Sequence, residues 1–290
     1  MTVSFGPDEQ AAAERLIGLA LAEDLGDAGD LTGKSLVAEE STGRVLLRNR
    51  QPGIVAGLPV VELLFRQLDP TVVVETMCAD GDDRDSAGDL ASLAGPVRSL
   101  LAGERTALNF LGHLSGIATL TGRFVAAVAD RDAVILDTRK TLPGIRVLAK
   151  YAVRAGGGSN HRRALFDAVL IKDNHLAAAG GRSIAEAVGQ SRNGVPAGVP
   201  IQVEVDTLDQ LADALEGAPD AVLLDNMKPD QLAEAVAIRD AGAPGVLLEA
   251  SGGITLETVA GIAATGIDRI SIGALTHSAP CWDVGFDWDG

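Results

Sequence analysis

The hydrophobic pattern of the first third of the chain predicts a mixture of helices and strands. Residues Asp8–Leu25 place apolar side chains along one stripe with helical spacing, which predicts an amphipathic helix. Short apolar runs predict strands at Gly43–Arg50, Gly53–Ala56 and Val72–Thr76, and a helix at Pro59–Leu68 lies between the second and the third. This region is therefore expected to be a mixed α/β domain.

Two further segments complete the first part of the chain. The polar stretch Ala79–Asp89 is expected to be a loop. A long helical segment is predicted to begin near Gly103, and Gly112 and Gly116 are expected to interrupt it because glycine weakens a helix interior.

The remainder of the chain alternates between two kinds of segment. Apolar runs of strand length occur at Ala133–Leu136, Ala168–Ile171, Ile201–Val205, Ala221–Leu224, Val246–Leu248 and Arg269–Ile272. Helical patterns occur at Ile145–Ala155, Ile184–Ser191, Leu208–Leu215, Asp230–Ala241 and Leu256–Ala264. Apolar strands that alternate with such helices predict a parallel sheet covered by helices, either a barrel or an open doubly wound sheet. The chain has no GxGxxG or Walker motif, which disfavours an open nucleotide-binding sheet.

Composition excludes several classes of function. A net charge of −16 argues against binding the phosphate backbone of nucleic acid, and 3% aromatic residues argue against a base-stacking surface. Two cysteines, Cys78 and Cys281, cannot form a disulfide framework and suit a reducing cytosol. We expect no signal peptide in MTVSFGPDEQ and no membrane span, because apolar runs are short. A cytoplasmic protein follows as the expectation.

A basic segment interrupts this acidic chain. Residues 139–172 contain eight basic residues and a single acid, Asp167. Clefts focus electric fields, so such a cluster can hold a small polyanion against the overall charge. Solvated helix faces are the alternative interpretation, above all for Arg146, Lys150 and Arg163.

Polar residues or glycine follow each predicted strand of the second part. They are Asp137-Thr138-Arg139-Lys140, Lys172-Asp173-Asn174, Glu204 with Asp206, Asp225-Asn226, Glu249 with Ser251-Gly252-Gly253, and Gly273. In a parallel barrel all strands end at one mouth, so these groups are expected to line one rim. One charge after one strand is ordinary, whereas the joint pattern indicates a site.

Two features of this rim suggest specific ligands. Ser251-Gly252-Gly253 leads into a predicted helix and Gly273-Ala274 follows the next strand, an arrangement that suits a phosphate group. Glu204 and Asp225 both end apolar strands, where a carboxylate needs a partner. Mg²⁺ with a sugar diol would supply one, and a salt bridge to Lys172 or Arg139 would supply another.

The segment Gly156-Gly157-Gly158-Ser159-Asn160-His161-Arg162 is expected to be a mobile loop that presents an anion-binding histidine and arginine, with a structural role as the alternative for His161. Among the other histidines, His113 and His277 are expected to be structural, and the role of His175 is left open. No Cys/His spacing indicates zinc, and no Ser–His–acid triad can be argued from residue order.

Several longer segments resemble one enzyme family, the quinolinate phosphoribosyltransferases (carboxylating nicotinate-nucleotide pyrophosphorylases). They are GERTALNFLGHLSGIATLT (103–121), DTRKTLPGIRVLAKYAVRAGGGSNHR (137–162), LIKDNH (170–175), VEVDTLDQL (203–211), LLDNM (223–227), EASGGI (249–254) and ISIGALTHS (270–278). The resemblance runs in the same order along essentially the whole chain, and the 137–175 stretch carries most of its specificity.

The resemblance implies an N-terminal open-faced α/β sandwich at 1–112 and an incomplete α/β barrel at 113–275, with a tail, 276–290, that packs back on the first domain. It also implies a homodimer that shares its active sites, or a higher oligomer. The implied reaction joins quinolinate to 5-phosphoribosyl-1-pyrophosphate with Mg²⁺, and yields nicotinate mononucleotide, pyrophosphate and CO₂ for the de novo synthesis of NAD.

The resemblance also implies roles for individual residues. Arg105 of the partner subunit, with Arg139, His161, Arg162 and Lys172 of the chain itself, would bind the two carboxylates of quinolinate. Residues that would contact the phosphoribosyl donor, its pyrophosphate or its 5′-phosphate are Thr138, Arg139, Lys140, Glu204, Asp225, Ser251, Gly252, Gly253, Ile272, Gly273 and Ala274. Of these, Lys140, Glu204 and Asp225 would be catalytic, and Glu204 and Asp225 would also hold the Mg²⁺.

Three other functions are weighed against this one. A related phosphoribosyltransferase would use another pyridine base such as nicotinate, although two substrate carboxylates explain the basic cluster better than one. A Schiff-base aldolase on a barrel would use Lys172 as its nucleophile. A non-catalytic barrel would bind the phosphosugar without turnover.

Overall fold

A computed structural model describes residues 3–288 of the chain. They divide into two compact units. Unit 1 holds residues 3–122, 140–157 and 274–288, and unit 2 holds residues 123–139 and 158–273. The predicted boundary between residues 112 and 113 falls inside a helix, and the division into domains at that point stays a prediction.

The helices and strands are numbered in chain order. The first part of the chain forms α1 (Pro7–Leu25), α2 (Leu31–Leu36), β1 (Thr42–Asn49), β2 (Gly53–Ile54), α3 (Leu58–Leu68), β3 (Val73–Thr76), β4 (Asp83–Arg84), β5 (Gly88–Pro96) and α4 (Val97–Ala127). The second part forms β6 (Val134–Leu136), α5 (Arg146–Ala155), β7 (Val169–Ile171), α6 (Asp173–Ala178), α7 (Ile184–Gly194), β8 (Ile201–Val205), α8 (Leu208–Glu216), β9 (Ala221–Asp225), α9 (Pro229–Gly242), β10 (Leu247–Ser251), α10 (Leu256–Ala263), β11 (Arg269–Ser271), α11 (Ala274–His277) and β12 (Val284–Trp288).

Unit 1 is built on an antiparallel sheet of four strands in the order β12-β1-β5-β3. Leu47 on β1 and Leu93 on β5 are fully buried. Phe65 of α3 stacks on Phe286 of β12, with ring centroids 6.3 Å apart, so α3 packs on this sheet. Helix α1 packs on both α3 and α5. This arrangement agrees with the α/β sandwich that was expected for the first part of the chain.

Strand β5 is the largest error in the secondary-structure prediction. The stretch Ala79–Asp89, expected to be a loop, contains β4 and the first two residues of β5. The sequence of β5, GDLASLAGP, is rich in Ala, Ser and Gly, which carry little strand propensity. Its position between β1 and β3 imposes the strand conformation, because pairing on both sides supplies the hydrogen bonds.

Unit 2 contains a parallel sheet of six strands in the order β6-β11-β10-β9-β8-β7. The six strands predicted for this part are confirmed, with their ends shifted by at most three residues and β8 matching the prediction at both ends. From β7 to β11 each strand lies beside its successor, and β11 then pairs with β6, the first strand. A doubly wound sheet would reverse direction at a switch point, whereas this order is that of a barrel.

The barrel of unit 2 is incomplete. Its edge strands β6 and β7 do not pair with each other within the described residues. The residue that continues the sheet beyond β6 is Ser159, which forms an isolated parallel bridge with Leu136. The alternative of an open doubly wound sheet is therefore excluded, and the predicted incomplete α/β barrel is confirmed.

Over residues 3–288, no helix combines the length and the apolar character needed to cross a membrane.

Helix α4 runs without a break through Gly112 and Gly116, so the expected interruptions are wrong. Both glycines face the chain segment at residues 280–282. The backbone N–H of Trp282 donates to the carbonyl of Gly112 at 2.8 Å, and a Cβ on Gly112 would lie 2.9 Å from the Trp282 carbonyl oxygen. A Cβ on Gly116 would overlap the carbonyl oxygen of Pro280. Glycine is present because it lets this backbone approach the helix, not because the helix ends.

We expect Gly116→Ala to lower the free energy of unfolding by about 1–3 kcal/mol, because backbone atoms of residue 280 cannot move aside as a side chain can. Urea denaturation measures the change. Gly18→Ala is the matched control, since Gly18 lies in α1 of the same unit and its Cβ would meet only the end of the Gln67 side chain. The control should gain up to about 1 kcal/mol from helix propensity. Equal effects of the two substitutions would contradict the close approach.

Candidate active site

The predicted site residues of unit 2 lie at the carboxyl ends of the parallel strands. Thr138 and Arg139 follow β6, Lys172 follows β7, Glu204 lies near the end of β8, Asp225 ends β9, Ser251 ends β10, and Ile272 and Gly273 follow β11. In a parallel sheet these ends share one edge, so the strands bring the groups to one rim. The other predicted residues, Arg105, Lys140 and Ala274, belong to unit 1.

A cluster of opposite charges stands at this rim. The ammonium group of Lys172 forms an ion pair with the carboxylate of Glu204. The salt bridge that was weighed as an alternative for Glu204 is therefore present. Burial lowers the pKa of Arg162, and the positive charge of Arg139 lowers it further, while Asp167 and Glu204 act in the opposite direction. Arg139 and Glu204 thus both lie near enough to Arg162 to act on its charge.

The loop that carries His161 and Arg162 is anchored to the end of β6. The carboxylate of Asp137, which is fully buried, accepts hydrogen bonds from the side chain of Asn160 at 2.7 Å and from the backbone N–H of His161 at 2.9 Å. The backbone of Ser159 bonds to Ile135 and to Asp137 on β6. Two charge-assisted bonds and a β-bridge hold this segment, although its glycines had predicted mobility.

His161 faces protein groups with both ring nitrogens. Its Nδ1 accepts a hydrogen bond from the backbone N–H of Arg162 at 2.7 Å, and its Nε2 lies 3.4 Å from Oε1 of Glu249. The guanidinium of Arg162 donates to the carbonyl of Ala168 at 3.1 Å. The orientation of Arg162 is therefore set at its backbone and at its head group.

Asp167 closes the loop that follows Arg162. Its carboxylate accepts hydrogen bonds from the backbone N–H groups of Arg163 at 2.7 Å and of Ala164 at 3.0 Å. Burial raises the pKa of Asp167, but these two donors outweigh the burial and the pKa lies below its usual value. The single acid of the basic segment is a structural clamp for the loop.

We expect Asp167→Ala to speed hydrogen exchange at the amides of Arg163 and Ala164 by about tenfold or more, since each amide loses a charge-assisted bond worth about 1.5–3 kcal/mol. Exchange read by NMR or mass spectrometry measures the effect. The amide of Ser159, which bonds to Ile135, should keep its protection. Uniform acceleration along the loop would show global loosening instead.

The turn after β9 fits against the turn after β10. Asn226 adopts a positive φ of 56° and donates from its side chain to Asp225 at 2.7 Å. Its backbone N–H donates to the carbonyl of Ser251 at 2.8 Å. Gly252 has a φ of 100°, and a Cβ there would overlap the amide of Asn226. Glycine is therefore required, and Gly253, also at a positive φ, leads on to α10. Turns of this kind direct backbone N–H groups toward an anion.

The carboxylates of Glu204 and Asp225 suit a hard cation. They lie on the neighbouring strands β8 and β9, and both are partly accessible. Over residues 3–288, no group of three or more His, Cys, Asp or Glu side chains could enclose a metal ion. Mg²⁺ commonly binds through one or two carboxylates together with substrate phosphates and water, so this donor set fits a metal that arrives with a phosphorylated substrate.

The remaining histidines differ in their surroundings. His175, whose role was left open, accepts from the backbone N–H of Lys172 at 3.0 Å and so caps α6. His277 Nδ1 lies 2.6 Å from the hydroxyl of Ser278. Burial lowers the pKa of His113. The structural roles expected for His113 and His277 stay predictions.

Two of the acids that were expected to line the rim, Asp137 and Glu249, are instead fully buried beneath it. Asp137 orients the histidine loop, and Glu249, also fully buried, accepts from the side chain of Gln202 at 2.9 Å. The available signal was a carboxylate inside an apolar strand, LLEAS, where burial without a partner is costly. The partners come from distant parts of the chain, which the pattern along one strand does not reveal.

Comparison with known proteins places the chain among relatives over its whole length. The family model of the quinolinate phosphoribosyl transferase C-terminal domain matches residues 117–287, and that of the N-terminal domain matches residues 30–115. The nicotinate-nucleotide pyrophosphorylase (carboxylating) of Mycobacterium leprae (strain TN) is 44% identical over 279 residues, which is 95% of this chain and 97% of the relative. A probable enzyme of the same name from Bacillus subtilis (strain 168) is 41% identical over 274 residues, 94% of this chain and 92% of the relative.

A solved structure gives the same answer. The nicotinate-nucleotide pyrophosphorylase from Francisella tularensis superposes with a TM-score of 0.91 at 38% identity and covers 97% of each chain. The barrel order, the charged rim and these matches agree with one another. The chain belongs to the quinolinate phosphoribosyltransferase family.

Proposed function

We propose that this protein catalyses the carboxylating transfer of a phosphoribosyl group, in which quinolinate and 5-phosphoribosyl-1-pyrophosphate give nicotinate mononucleotide, pyrophosphate and CO₂ in the de novo synthesis of NAD. The relatives that cover nearly the whole chain carry names for this activity. The observation that carries the proposal is the cluster of Arg139, Arg162, Lys172 and Glu204 at the carboxyl end of the barrel sheet.

The cations of the cluster suit a planar dicarboxylate. Arg162 and Arg139 repel each other where they stand, and a dianion between them would relieve that repulsion. Guanidinium groups bind carboxylates through two parallel hydrogen bonds and so fix the rotation of the ring. His161 and Lys172 complete the proposed quinolinate pocket, and Arg105 of a partner subunit is proposed to contribute a further cation.

The other side of the rim suits the phosphoribosyl donor. Glu204 and Asp225 are proposed to bind the ribose hydroxyls and a Mg²⁺ ion, which would neutralise pyrophosphate charge when bound. Ser251, Gly252, Gly253, Ile272, Gly273 and Ala274 are proposed to surround the 5′-phosphate. Thr138, Arg139 and Lys140 are proposed to face the pyrophosphate.

The chemistry follows from charge and position. The lone pair of the quinolinate ring nitrogen forms a bond to the anomeric carbon, while the bond to pyrophosphate breaks and its electrons leave with that anion. Lys140 offers a positive charge to the leaving anion, and the carboxylates hold the sugar as positive charge develops on it. The ring nitrogen becomes cationic, so the 2-carboxylate departs as CO₂ and leaves its electron pair on the ring, which then takes up a proton. Orientation of the ring by the cations lowers the entropic part of the barrier.

The oligomeric state, the domain division and the location of the protein are also proposed. A contribution of the partner's Arg105 to the site would require a homodimer with shared active sites, or a higher oligomer built from it. The division into a sandwich at 1–112 with the tail 276–290, and a barrel at 113–275, is proposed as the functional one. Cytoplasmic location is supported by Cys78 and Cys281, which are both free thiols.

The deciding experiment incubates the purified chain with carboxyl-labelled quinolinate, phosphoribosyl pyrophosphate and Mg²⁺. Nicotinate mononucleotide and labelled CO₂ should appear in equal amounts, and addition of EDTA should stop the reaction. Turnover of nicotinate alone, without CO₂, would identify the other pyridine base as substrate. A borohydride-trapped adduct on Lys172 would identify an aldolase. Donor binding by calorimetry with no turnover of either base would leave only a binding protein.

A further inference from the structure

Beneath the rim, a buried network of polar side chains leads to the histidine loop. The amide of Gln202 on β8 donates to Oε2 of Glu249 on β10, and Oε1 of Glu249 faces Nε2 of His161 at 3.4 Å. Nδ1 of the same ring accepts from the backbone N–H of Arg162. Gln202 and Glu249 are buried, with Glu249 at 0% exposure.

This network of polar side chains fixes the tautomer of His161. A neutral imidazole carries one N–H, and Nδ1 is the acceptor for the Arg162 amide, so the proton lies on Nε2. Nε2–H is then aimed at a carboxylate oxygen. At 3.4 Å this contact is longer than a usual hydrogen bond, and hydrogen bonds within active sites often shorten when a substrate binds.

Glu249 in turn depends on His161. A buried carboxylate is costly unless donors surround it. Oε2 has the Gln202 amide, whereas Oε1 has no hydrogen-bond donor within the described residues. His161 Nε2 lies 3.4 Å from Oε1, so a small movement of the ring would bring its N–H within hydrogen-bond distance. A slightly shorter distance between these two atoms would therefore give the buried Glu249 carboxylate its second donor.

We infer that Glu249, supported by Gln202, is a positioning residue that sets the ring plane and tautomer of His161 and through them the Arg162 segment of the quinolinate pocket. The role rests on the proposed function, because it acts on a pocket proposed there. Glu249 touches neither substrate in this scheme. Its loss should therefore affect quinolinate and spare the phosphoribosyl donor.

The kinetic test is a double-mutant cycle. Glu249→Ala should raise the KM for quinolinate by about 10- to 100-fold with little change in the KM for the donor. Glu249→Gln retains the shape and an amide oxygen that can accept from Nε2–H, so it should recover most of the loss. In a His161→Ala background, Glu249→Ala should cause no further loss. Additive losses, or an equal rise in both KM values, would overturn the inference.

A second measurement needs no turnover. Nitrogen-15 NMR of the histidine side chains, with His161 assigned through His161→Asn, should show Nε2 protonated and Nδ1 unprotonated in the wild-type protein. Glu249→Ala should shift this signal, while circular dichroism shows an unchanged fold. An Nδ1–H tautomer in the wild type would refute this arrangement of Gln202, Glu249 and His161. If the wild-type protein fails to convert quinolinate, the proposed function is wrong, and the NMR result still decides whether the three side chains are linked as described.

Discussion

Arg162→Ala is expected to lower kcat/KM for quinolinate by about 100-fold or more, because removal of one partner from a desolvated, hydrogen-bonded charge pair costs about 2–5 kcal/mol. Arg162 is the cation whose surroundings are best defined. The Ala168 carbonyl holds its guanidinium, and His161 holds its backbone. Burial lowers its pKa most and the positive charge of Arg139 lowers it further, while Asp167 and Glu204 act in the opposite direction without restoring the usual value. Two substrate carboxylates would add negative charge beside this guanidinium.

The adjacent arginine offers a matched control. Arg163 is exposed, and its backbone N–H, which alanine retains, bonds to Asp167. Arg163→Ala removes the same charge one residue away and should change kcat/KM by less than about threefold, as expected of an exposed ion. Steady-state kinetics with quinolinate varied at saturating donor measure both variants. If the two substitutions have equal effects, the cluster acts only through its long-range field and no specific pocket at Arg162 exists.

The ion pair between Lys172 and Glu204 connects the binding of the two proposed substrates. In the structure the two charges neutralise each other at the rim. A quinolinate carboxylate at Lys172 and a ribose diol or Mg²⁺ at Glu204 would each offer a substitute partner. Because both substitutes are needed to leave no charge uncompensated, binding of one substrate should favour binding of the other. The pair lies where the proposed acceptor and donor pockets meet.

The sequence predicted the parallel sheet of unit 2 because its strands are continuous apolar runs with polar ends, a pattern that requires no knowledge of partners. The pattern left a barrel and an open sheet as alternatives, and only the family resemblance implied the incomplete barrel. It failed at β5, where small residues become a strand only through pairing on both sides. It also failed at Gly116, whose reason for being glycine is the carbonyl of Pro280. In both cases the decisive contact comes from a distant part of the chain.

In the candidate site, too, the sequence predicted the positions of residues but not the contacts between distant segments. Residues that directly follow strands, such as Lys172 and Asp225, could be named from position alone. The ion pair of Lys172 with Glu204 could be named only as one alternative, since Mg²⁺ with a sugar diol and a salt bridge to Arg139 were also compatible with the sequence. The link between Glu249 and His161 could not be found, because β10 and the loop after α5 are far apart in the sequence and only the tertiary fold brings them together.

Asp225→Asn is expected to lower kcat/KM for phosphoribosyl pyrophosphate by about 100-fold or more, the loss typical when one group that stabilises transition-state charge is removed. The substitution removes the negative charge that would face the cationic ribose and the Mg²⁺. It leaves an amide oxygen to accept from Asn226, whose side chain bonds to this carboxylate at 2.7 Å. The turn that fits against Gly252 should therefore persist, and the melting temperature should stay close to that of the wild type.

The effect must be selective to support the assignment. The KM for quinolinate should change little, because its proposed ligands stand on β6, β7 and the loop between them. Mg²⁺ titration at fixed donor should show a higher half-saturating concentration, since one of two proposed ligands has lost its charge. Asp230→Asn, an exposed acid in the first turn of α9, is the control for loss of one negative charge after the same strand and should leave both kinetic parameters unchanged. If Asp225→Asn keeps wild-type donor kinetics at limiting Mg²⁺, the carboxylate at the end of β9 has no role in holding the donor, and the donor pocket must be sought elsewhere on the rim.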